Sequence, residues 1–429
     1  MKKTRTIDAH DVPYSLPMIP IDAPEVVYIT LGELRTKSYT LTVQEGDQVY
    51  IGTQLGMLDG GYFVQPVFST VSGTVGKIVK KFIYSGKVAE VLEINNDFKD
   101  TFDPRRTDLS EAQISALTRE EIIELAKNNA VKGLGGAGFP TYIKLQTNDP
   151  IETLVINGVE CEPFLSSDAR AILEETVDIF KGIEIGLKAS GAKKAIFGIK
   201  KKHKELIAKL EKVKQEQFPN LPLTIHQTEN IYPQGWENAL LRSVLGLKIP
   251  PRTLLSKYGV VVLNATTTYA LYQAVRYNLP IYERYFTMAG DAFTNPGMLK
   301  VRVGEVVPRL IQAVGGFNTN EDRILIMGGP MMGANLLLED GVVSMTVGSM
   351  VGLVNHDWIE EPCIRCSACV YSCPVDLQPV NIMNATKNKD HDALAALNVD
   401  KCIECGLCAY VCPSKIHVTD YMRKGKKLL

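Results

Sequence analysis

The sequence predicts a multidomain α/β protein, and three observations support this fold class. Short alternating strands separated by glycine turns occupy residues 1–105. Strand and helix patterns alternate over residues 106–280, which is typical of a parallel sheet. Eight of the nine cysteines lie in two identically spaced sets near the end of the chain. A length of 429 residues is enough for about three or four domains.

Composition narrows the class of protein further. The formal net charge of −1 argues against a protein built to neutralise nucleic-acid phosphates. No run reaches the roughly 18–20 apolar residues of a membrane helix, and the start, Met1–Arg5, leads into polar residues rather than a signal core. We therefore expect a cytoplasmic chain without a transmembrane segment. Peripheral attachment to the cytoplasmic face of a membrane is the alternative.

The first domain, residues 1–105, contains a strand at Tyr39–Val43, a turn at Glu45-Gly46-Asp47 and the segment Val71-Ser-Gly-Thr-Val75. This layout resembles the biotinyl/lipoyl hammerhead. No lysine occurs between Val49 and Gly73, where a modified lysine would have to lie. We therefore expect a small β-domain used for docking rather than a swinging arm.

The second domain, residues 106–280, is predicted to be an α/β ligand-binding domain. A helix is expected at Arg119–Asn129, and four apolar segments are candidate parallel strands: Thr153–Asn157, Lys194–Ile199, Leu221–His226 and Gly259–Asn264. Ligands of such sheets bind beyond the carboxyl ends of the strands.

The third domain, residues 281–340, returns to short strands around one helix. The expected elements are the strands Tyr285–Ala289, Gly297–Val303 and Arg323–Met327, with a helix at Val306–Val314. This order is compatible with a β-grasp (SLBB-like) module. Residues 341–429 form the fourth domain, which carries the cysteines and a predicted helix at Asn381–Asn398.

The two cysteine sets share the spacing C-x2-C-x2-C-x3-C-P. In this motif three closely spaced thiolates hold one cubane, and the fourth cysteine ligates the other cluster. The prediction is an α-helical ferredoxin-like domain with two [4Fe–4S] clusters. The first cluster is assigned to Cys363, Cys366, Cys369 and Cys412, and the second to Cys402, Cys405, Cys408 and Cys373. Structural zinc is the weaker alternative, because zinc sites usually take two pairs of ligands.

A glycine-rich loop, Gly133–Thr141, precedes Lys144. Glycines allow backbone N–H groups to approach an anion closely, and a lysine adds positive charge for a phosphate. A glycine turn without a ligand is equally compatible with this segment alone. Two further segments, Asn157–Pro163 and Tyr232–Glu237, place acids and a glycine after predicted strands.

Taken together, these segments resemble the flavin-binding domain of the NADH-oxidising subunit of respiratory complex I. The domain order resembles the RnfC family of the Rnf ferredoxin–NAD oxidoreductase over essentially the whole chain. The resemblance implies FMN as cofactor and NADH as a less secure substrate. The residues that match the flavin-binding positions are Gly133, Gly135, Gly136, Phe139, Lys144, Asn157, Glu160, Tyr232, Gly235, Glu237 and Asn264. Hydride transfer needs no side-chain base, so no catalytic residue is assigned.

Some positions depart from the two families. Trp236 stands where they usually carry a small or acidic residue, and the neighbourhoods of Gln146 and Arg252 lack the aromatic residues that stack on the nucleotide in complex I. These departures favour an RnfC relative that serves a soluble system, such as the electron-transfer protein associated with D-proline reductase.

The expected function is electron transfer from NADH through FMN and two [4Fe–4S] clusters to a partner reductase or Rnf-type complex. One alternative is a non-catalytic iron–sulfur relay or adaptor without a working NADH site. Another is a membrane-associated scaffold that touches an acidic surface through Lys424–Lys427, although a solvated basic tail is the preferred explanation of these lysines.

Overall fold

The computed structural model describes residues 11–32, 36–83, 86–318, 320–337, 339–356 and 359–429. The polar start of the chain, Met1–Arg5, lies outside the described residues. Within the described ranges, four β-sheets are followed by a C-terminal group of short helices. No helix in these ranges is both long enough and apolar enough to cross a membrane.

The N-terminal strands form two antiparallel sheets, with orders β1-β7-β6-β3 and β2-β4-β5. Their bounds are β1 Val26–Thr30, β2 Ser38–Leu41, β3 Gln48–Val49, β4 Gln54–Asp59, β5 Val64–Phe68, β6 Gly73–Phe82 and β7 Val88–Asn96. Both sheets contribute to one apolar core, in which Val27 of β1 and Leu55 of β4 are fully buried. Two half-apolar sheets bury their inner faces by packing on each other.

The second domain contains a four-stranded parallel sheet with the order β10-β9-β8-β11. Its elements are α1 Glu111–Ala116, α2 Arg119–Asn128, α3 Thr141–Leu145, β8 Thr153–Gly158, α4 Ser167–Glu174, α5 Thr176–Ser190, β9 Lys194–Lys200, α6 Lys204–Gln217, β10 Leu223–Thr228, α7 Glu237–Leu245, β11 Val260–Asn264 and α8 Ala265–Tyr277. Alternate side chains of β8 enter two cores: Leu154 packs with residues of α5 and α8, and Val155 with residues of α7. Helices therefore cover both faces of the sheet.

A mixed five-stranded sheet follows, with the order β13-β12-β16-β14-β15 and one helix packed on it. The elements are β12 Glu283–Ala289, β13 Gly297–Arg302, α9 Val307–Ala313, β14 Arg323–Met327, β15 Ala334–Leu336 and β16 Ser349–Val354. Strand β16 lies beyond position 340, the predicted end of this domain. Its apolar residues belong here because β16 pairs with both β12 and β14 at the centre of the sheet.

The C-terminal region consists of α10 Ala368–Ser372, α11 Pro379–Lys387, α12 His391–Ala396, α13 Leu407–Tyr410 and α14 Val418–Leu428. The single helix predicted at Asn381–Asn398 is instead divided between α11 and α12. Lys389 has a left-handed φ of 54°, and the Asp390 side chain accepts from the Ala393 N–H at 3.0 Å, so that a new helix begins. Helices α11 and α14 pack closely where Gly425 meets Thr386.

Candidate functional site

The carboxyl edge of the parallel sheet brings together predicted residues from separate segments. Asn157 at the end of β8 is the register partner of Asn264 at the end of β11. The Asn264 side-chain oxygen caps α8 by accepting from the N–H groups of Thr266 and Thr267 at 2.9 and 3.2 Å. The Asn157 amide donates to the Gly235 carbonyl at 2.9 Å. Two of the three predicted flavin segments and the last strand therefore meet at this edge.

The glycine loop closes on itself beside this edge. The Gly133 N–H donates to the Phe139 carbonyl at 2.8 Å, and the Gly138 N–H donates back to the Gly133 carbonyl at 3.0 Å. A Cβ on Gly135 would lie 3.1 Å from the Asn264 amide nitrogen, so the loop rests directly on the end of β11. Gly136 is exposed, with φ +101° and no neighbouring atom within 4 Å of a built Cβ. The turn therefore presents backbone to solvent at the sheet edge.

Lys144 and Glu237, both predicted flavin residues, form an ion pair. The Lys144 Nζ donates to Glu237 Oε1 at 2.8 Å and to the Val262 carbonyl of β11 at 3.1 Å. Glu237 is the first residue of α7, where the helix dipole favours a negative charge. The two side chains thus connect α3, α7 and β11 at the same edge of the sheet.

Glu160 accepts hydrogen bonds from the first residues of α4. Its carboxylate accepts from the Ser167 hydroxyl at 2.8 Å and from the Asp168 N–H at 3.2 Å. Loss of hydration, followed by repulsion from the Asp168 carboxylate, raises the pKa of Glu160 to about 7. Asp168 in turn accepts from the Asn264 amide at 2.7 Å. A hydrogen-bonded chain therefore links Glu160 through α4 to the sheet edge.

Asp168 and Arg284 are site residues that the sequence patterns did not reveal. Arg284 of β12 is buried, donates to the Leu134 carbonyl of the glycine loop at 3.2 Å and has an Nε without a partner among the described residues. Burial lowers its pKa to about 10, so the guanidinium remains charged near neutral pH. No local pattern marks either residue. For Arg284 the reason is that β12 is remote in sequence from the glycine loop that it supports.

Tyr232 occupies a different place from the other predicted flavin residues. Its side chain is 2% exposed, and its hydroxyl donates to the Cys405 carbonyl at 2.8 Å. The Glu162 carboxylate lies 3.4 Å from the same hydroxyl and accepts from the Met331 N–H at 3.0 Å. Burial raises the pKa of Glu162 to about 7. The Tyr232 hydroxyl therefore hydrogen-bonds to the cysteine-rich domain rather than to the glycine loop.

Cys161 is a packed thiol at this junction. A Cβ on Gly235 would lie 2.9 Å from the Cys161 sulfur, so the two segments touch closely. Burial, with a smaller contribution from the Glu162 carboxylate, raises the pKa of Cys161 to about 12. A thiol with this pKa is protonated near neutral pH and is a poor nucleophile.

The four cysteines assigned to the second cluster line one cavity. They are Cys373, Cys402, Cys405 and Cys408. Cys373 and Cys405 are buried, and Cys402 and Cys408 are half-buried. Cys373 comes from the first motif, so the chain crosses over between the two motifs as the spacing predicts. Four thiols around one cavity are the donor set that a cubane requires, and these residues fit such a cluster.

The cysteines assigned to the first cluster are more open to solvent. Cys363 and Cys366 are exposed, Cys412 is half-buried and Cys369 is buried. The Glu361 N–H donates to the Ser414 carbonyl at 3.0 Å, and the Ser414 hydroxyl donates to the Pro362 carbonyl at 3.0 Å. These bonds place the segment before Cys363 beside the segment after Cys412. The assignment of Cys412 to the first set stays a prediction.

Matches to three known domains cover successive parts of the chain. Residues 10–99 match the RnfC barrel sandwich hybrid domain, residues 126–273 the Nuo51 FMN-binding domain, and residues 362–416 a 4Fe–4S dicluster domain. The chain is 31% identical over 380 residues to the C component of the Na⁺-translocating ferredoxin:NAD⁺ oxidoreductase complex of Acetobacterium woodii. That alignment covers 87% of this chain and 84% of the relative.

Two solved structures of an NAD⁺-reducing [NiFe]-hydrogenase have a similar fold. The H2-reduced state gives a TM-score of 0.51 at 19% identity, and the air-oxidised state 0.50 at 18% identity. Each similarity covers 76% of this chain and 67% of the hydrogenase chain. At this level of identity the comparison supports the fold alone.

An FMN-binding α/β domain joined to a dicluster domain defines an electron-transfer protein that uses flavin and iron–sulfur centres. The extent of the similarity to the Acetobacterium protein then identifies the family. This chain belongs to the RnfC family of Rnf complex components. The predicted family and fold class are therefore confirmed.

Proposed function

We propose that this chain oxidises NADH at a bound FMN and passes the electrons through two [4Fe–4S] clusters to a protein partner. Bound FMN would supply the exchange between two-electron and one-electron chemistry. The observation that most supports the proposal is the register pairing of Asn157 with Asn264, with the glycine loop resting on Asn264. This pairing gathers residues remote in sequence at the sheet edge where ligands of parallel sheets bind.

The proposed flavin site uses both the backbone and the side chains of this edge. Exposed Gly136 offers close approach to an anion, and the Arg284 guanidinium beneath the loop adds positive charge. Lys144 lies in the same region, with Glu237 as its partner. The proposed contact residues remain Gly133, Gly135, Gly136, Phe139, Lys144, Asn157, Glu160, Tyr232, Gly235, Glu237 and Asn264. For Tyr232 only the backbone is proposed, because its hydroxyl bonds to Cys405.

The proposed cluster ligands are Cys363, Cys366, Cys369 and Cys412 for one cubane and Cys402, Cys405, Cys408 and Cys373 for the other. The cavity lined by the second four supports this grouping. The partner is a protein with its own redox centre. An Rnf-type membrane complex agrees with the family, which implies peripheral association with the membrane. A soluble acceptor such as D-proline reductase is the proposal that rests on the sequence departures.

A second candidate function is an iron–sulfur relay without a working NADH site. Trp236 favours it, because this half-buried indole stands between Gly235 and Glu237, at the residue that precedes α7. An aromatic side chain there would occupy space that a nucleotide otherwise uses.

An anaerobic titration of the purified protein with NADH tests the first proposal. We expect about eight irons, from two four-iron cubanes, and about one FMN per chain, with loss of flavin absorbance on addition of NADH. Flavin that responds to dithionite but not to NADH would favour the relay.

A matched pair of glycine variants tests the site itself. Gly136→Asp should abolish FMN retention, because a carboxylate on this loop repels the flavin phosphate. Gly246→Asp is the control, since Gly246 is also exposed, has a positive φ and has no neighbour within 4 Å of a built Cβ. Equal FMN content in the two variants would contradict the proposed position of the phosphate.

A further inference from the structure

The two cysteine sets differ in what they touch outside their own domain. Tyr232, Cys405 and Leu407 form one buried apolar cluster, and Cys161, Met331 and Ile403 pack against it. Its members come from the α/β domain, from the loop after β14 and from the second cysteine motif. The second set is therefore held at a junction of three parts of the chain.

The contacts at this junction are polar as well as apolar. The Tyr232 hydroxyl donates to the Cys405 carbonyl at 2.8 Å. Gly406, the next residue, has φ +77°, and a Cβ there would lie 2.7 Å from the Met331 carbonyl oxygen. Met331 is itself fixed by the bond from its N–H to the Glu162 carboxylate. The backbone around Cys405 is thus restrained from two sides.

A second attachment lies just before this motif. Arg252, in the α/β domain, forms an ion pair with Asp400 at 2.9 Å and donates to the Asp400 carbonyl at 2.8 Å. Asp400 precedes Cys402 by two residues. Arg252 is one of the departures noted in the sequence, and its guanidinium here binds the cysteine-rich domain. The segment from Asp400 to Cys405 is therefore attached to the α/β domain at both ends.

We propose that Tyr232 is a positioning residue for the second cysteine set, which is the inner set of the molecule. Its hydroxyl fixes the Cys405 carbonyl and so holds the Cys402–Cys408 loop against the α/β domain. The outer set, with Cys363 and Cys366 exposed, is the one left open to a redox partner. This assignment rests on the proposed function, because it presumes that both sets carry cubanes.

The role of Tyr232 follows from the electrostatics of a cluster environment. Hydrogen bonds and dipoles near a cubane contribute to its reduction potential. The phenol O–H offsets the negative end of the Cys405 carbonyl dipole. Without that donor, the partial negative charge of the carbonyl oxygen destabilises the reduced state of the cluster more strongly. Removal of the hydroxyl should therefore lower the potential of the inner cluster and leave the outer cluster unchanged.

The test is a potentiometric titration of Tyr232→Phe holoprotein with dithionite and mediators, followed by electron paramagnetic resonance. We expect unchanged iron content, a more negative midpoint potential for one cluster and an altered signal from that cluster alone. Tyr410→Phe is the control, since it removes a half-exposed hydroxyl from the same domain. It should shift neither potential.

Two results would overturn the proposal: no shift in Tyr232→Phe, or an equal shift of both clusters. If Tyr232→Phe lost iron, replacement of Tyr232 by 4-aminophenylalanine would provide a second test, because its amine lies where the phenol hydroxyl lies and can donate to the Cys405 carbonyl. This variant should retain iron and the wild-type potential, and loss of iron here as well would overturn the proposal. Dithionite needs neither flavin nor NADH, so this result is independent of the NADH titration. A protein that fails to respond to NADH but shows the selective shift would retain the inner-set assignment.

Discussion

The two cysteine motifs have the same spacing but different surroundings. In the second motif, Cys405 is buried and its carbonyl accepts from Tyr232 of another domain. In the first motif, Cys363 and Cys366 are exposed, and the bonds next to them remain within the cysteine-rich domain. Equal spacing therefore specifies the same ligand geometry, whereas tertiary contacts give the two sets separate positions in the molecule.

Loss of one ligand from each motif should show the largest difference. Cys405→Ala and Cys363→Ala should each lose up to four irons, one cubane's content. Cys405→Ala should also lower the melting temperature more, because the loop that it disorders packs against Tyr232 and Met331. Anaerobic iron assay and thermal unfolding measure both effects. Equal melting temperatures would mean that the inner cluster contributes nothing to domain attachment.

The two cysteine sets should lose iron to a water-soluble chelator at different rates. The exposed cysteines Cys363 and Cys366 would allow access to the proposed outer cluster, whereas Cys373 and Cys405 are buried. We expect two kinetic phases of about equal amplitude, since each cubane holds four irons. The fast phase should be missing in Cys363→Ala. A single phase in the wild-type protein would contradict the difference in exposure.

The smallest expected effect concerns the ion pair between Arg252 and Asp400. Arg252 is 63% exposed, so its replacement by alanine should cost only about 0.2–1 kcal/mol of stability. The slow phase of iron removal should nevertheless accelerate, because the segment before Cys402 loses an attachment. Lys193→Ala is the matched control, since it removes an exposed ion pair with Glu152 in the same domain. Equal acceleration in both variants would exclude a local effect.

Sequence patterns predicted what is set by local spacing. The grouping of Cys373 with Cys402, Cys405 and Cys408 follows from the motif, and these residues line one cavity. The apolar segments predicted the parallel strands to within a few residues, because three of the four strands, β8, β9 and β11, bury runs of consecutive side chains. Contacts between remote segments were not predicted. Tyr232 was assigned to the flavin because its neighbours match that family, but its hydroxyl reaches the Cys405 carbonyl.

Two predicted boundaries differ from the structure, and for different reasons. The domain boundary predicted at position 340 excludes β16 from the third domain, although its pairing with β12 and β14 places it in the mixed sheet. The helix predicted through Asn398 is interrupted at Lys389, where a left-handed residue precedes an Asp390 cap. The helix break has a local sequence signal in Asn388-Lys-Asp390. The place of β16 in the sheet depends instead on strand partners that are remote in sequence.

The crossing of Cys373 into the cavity of the second motif has a consequence for biogenesis. With the proposed cluster ligands, a nascent chain that ends before Cys402 would lack donors of both sets and could complete neither. Under this assignment, assembly of the second set would wait for Cys408 and assembly of the first set for Cys412. A prematurely terminated product would carry unpaired thiols rather than a partial electron carrier, and it would be chemically distinct from the mature protein. The interlocked order of the proposed ligands would thus make synthesis through the second motif a condition for loading either cluster.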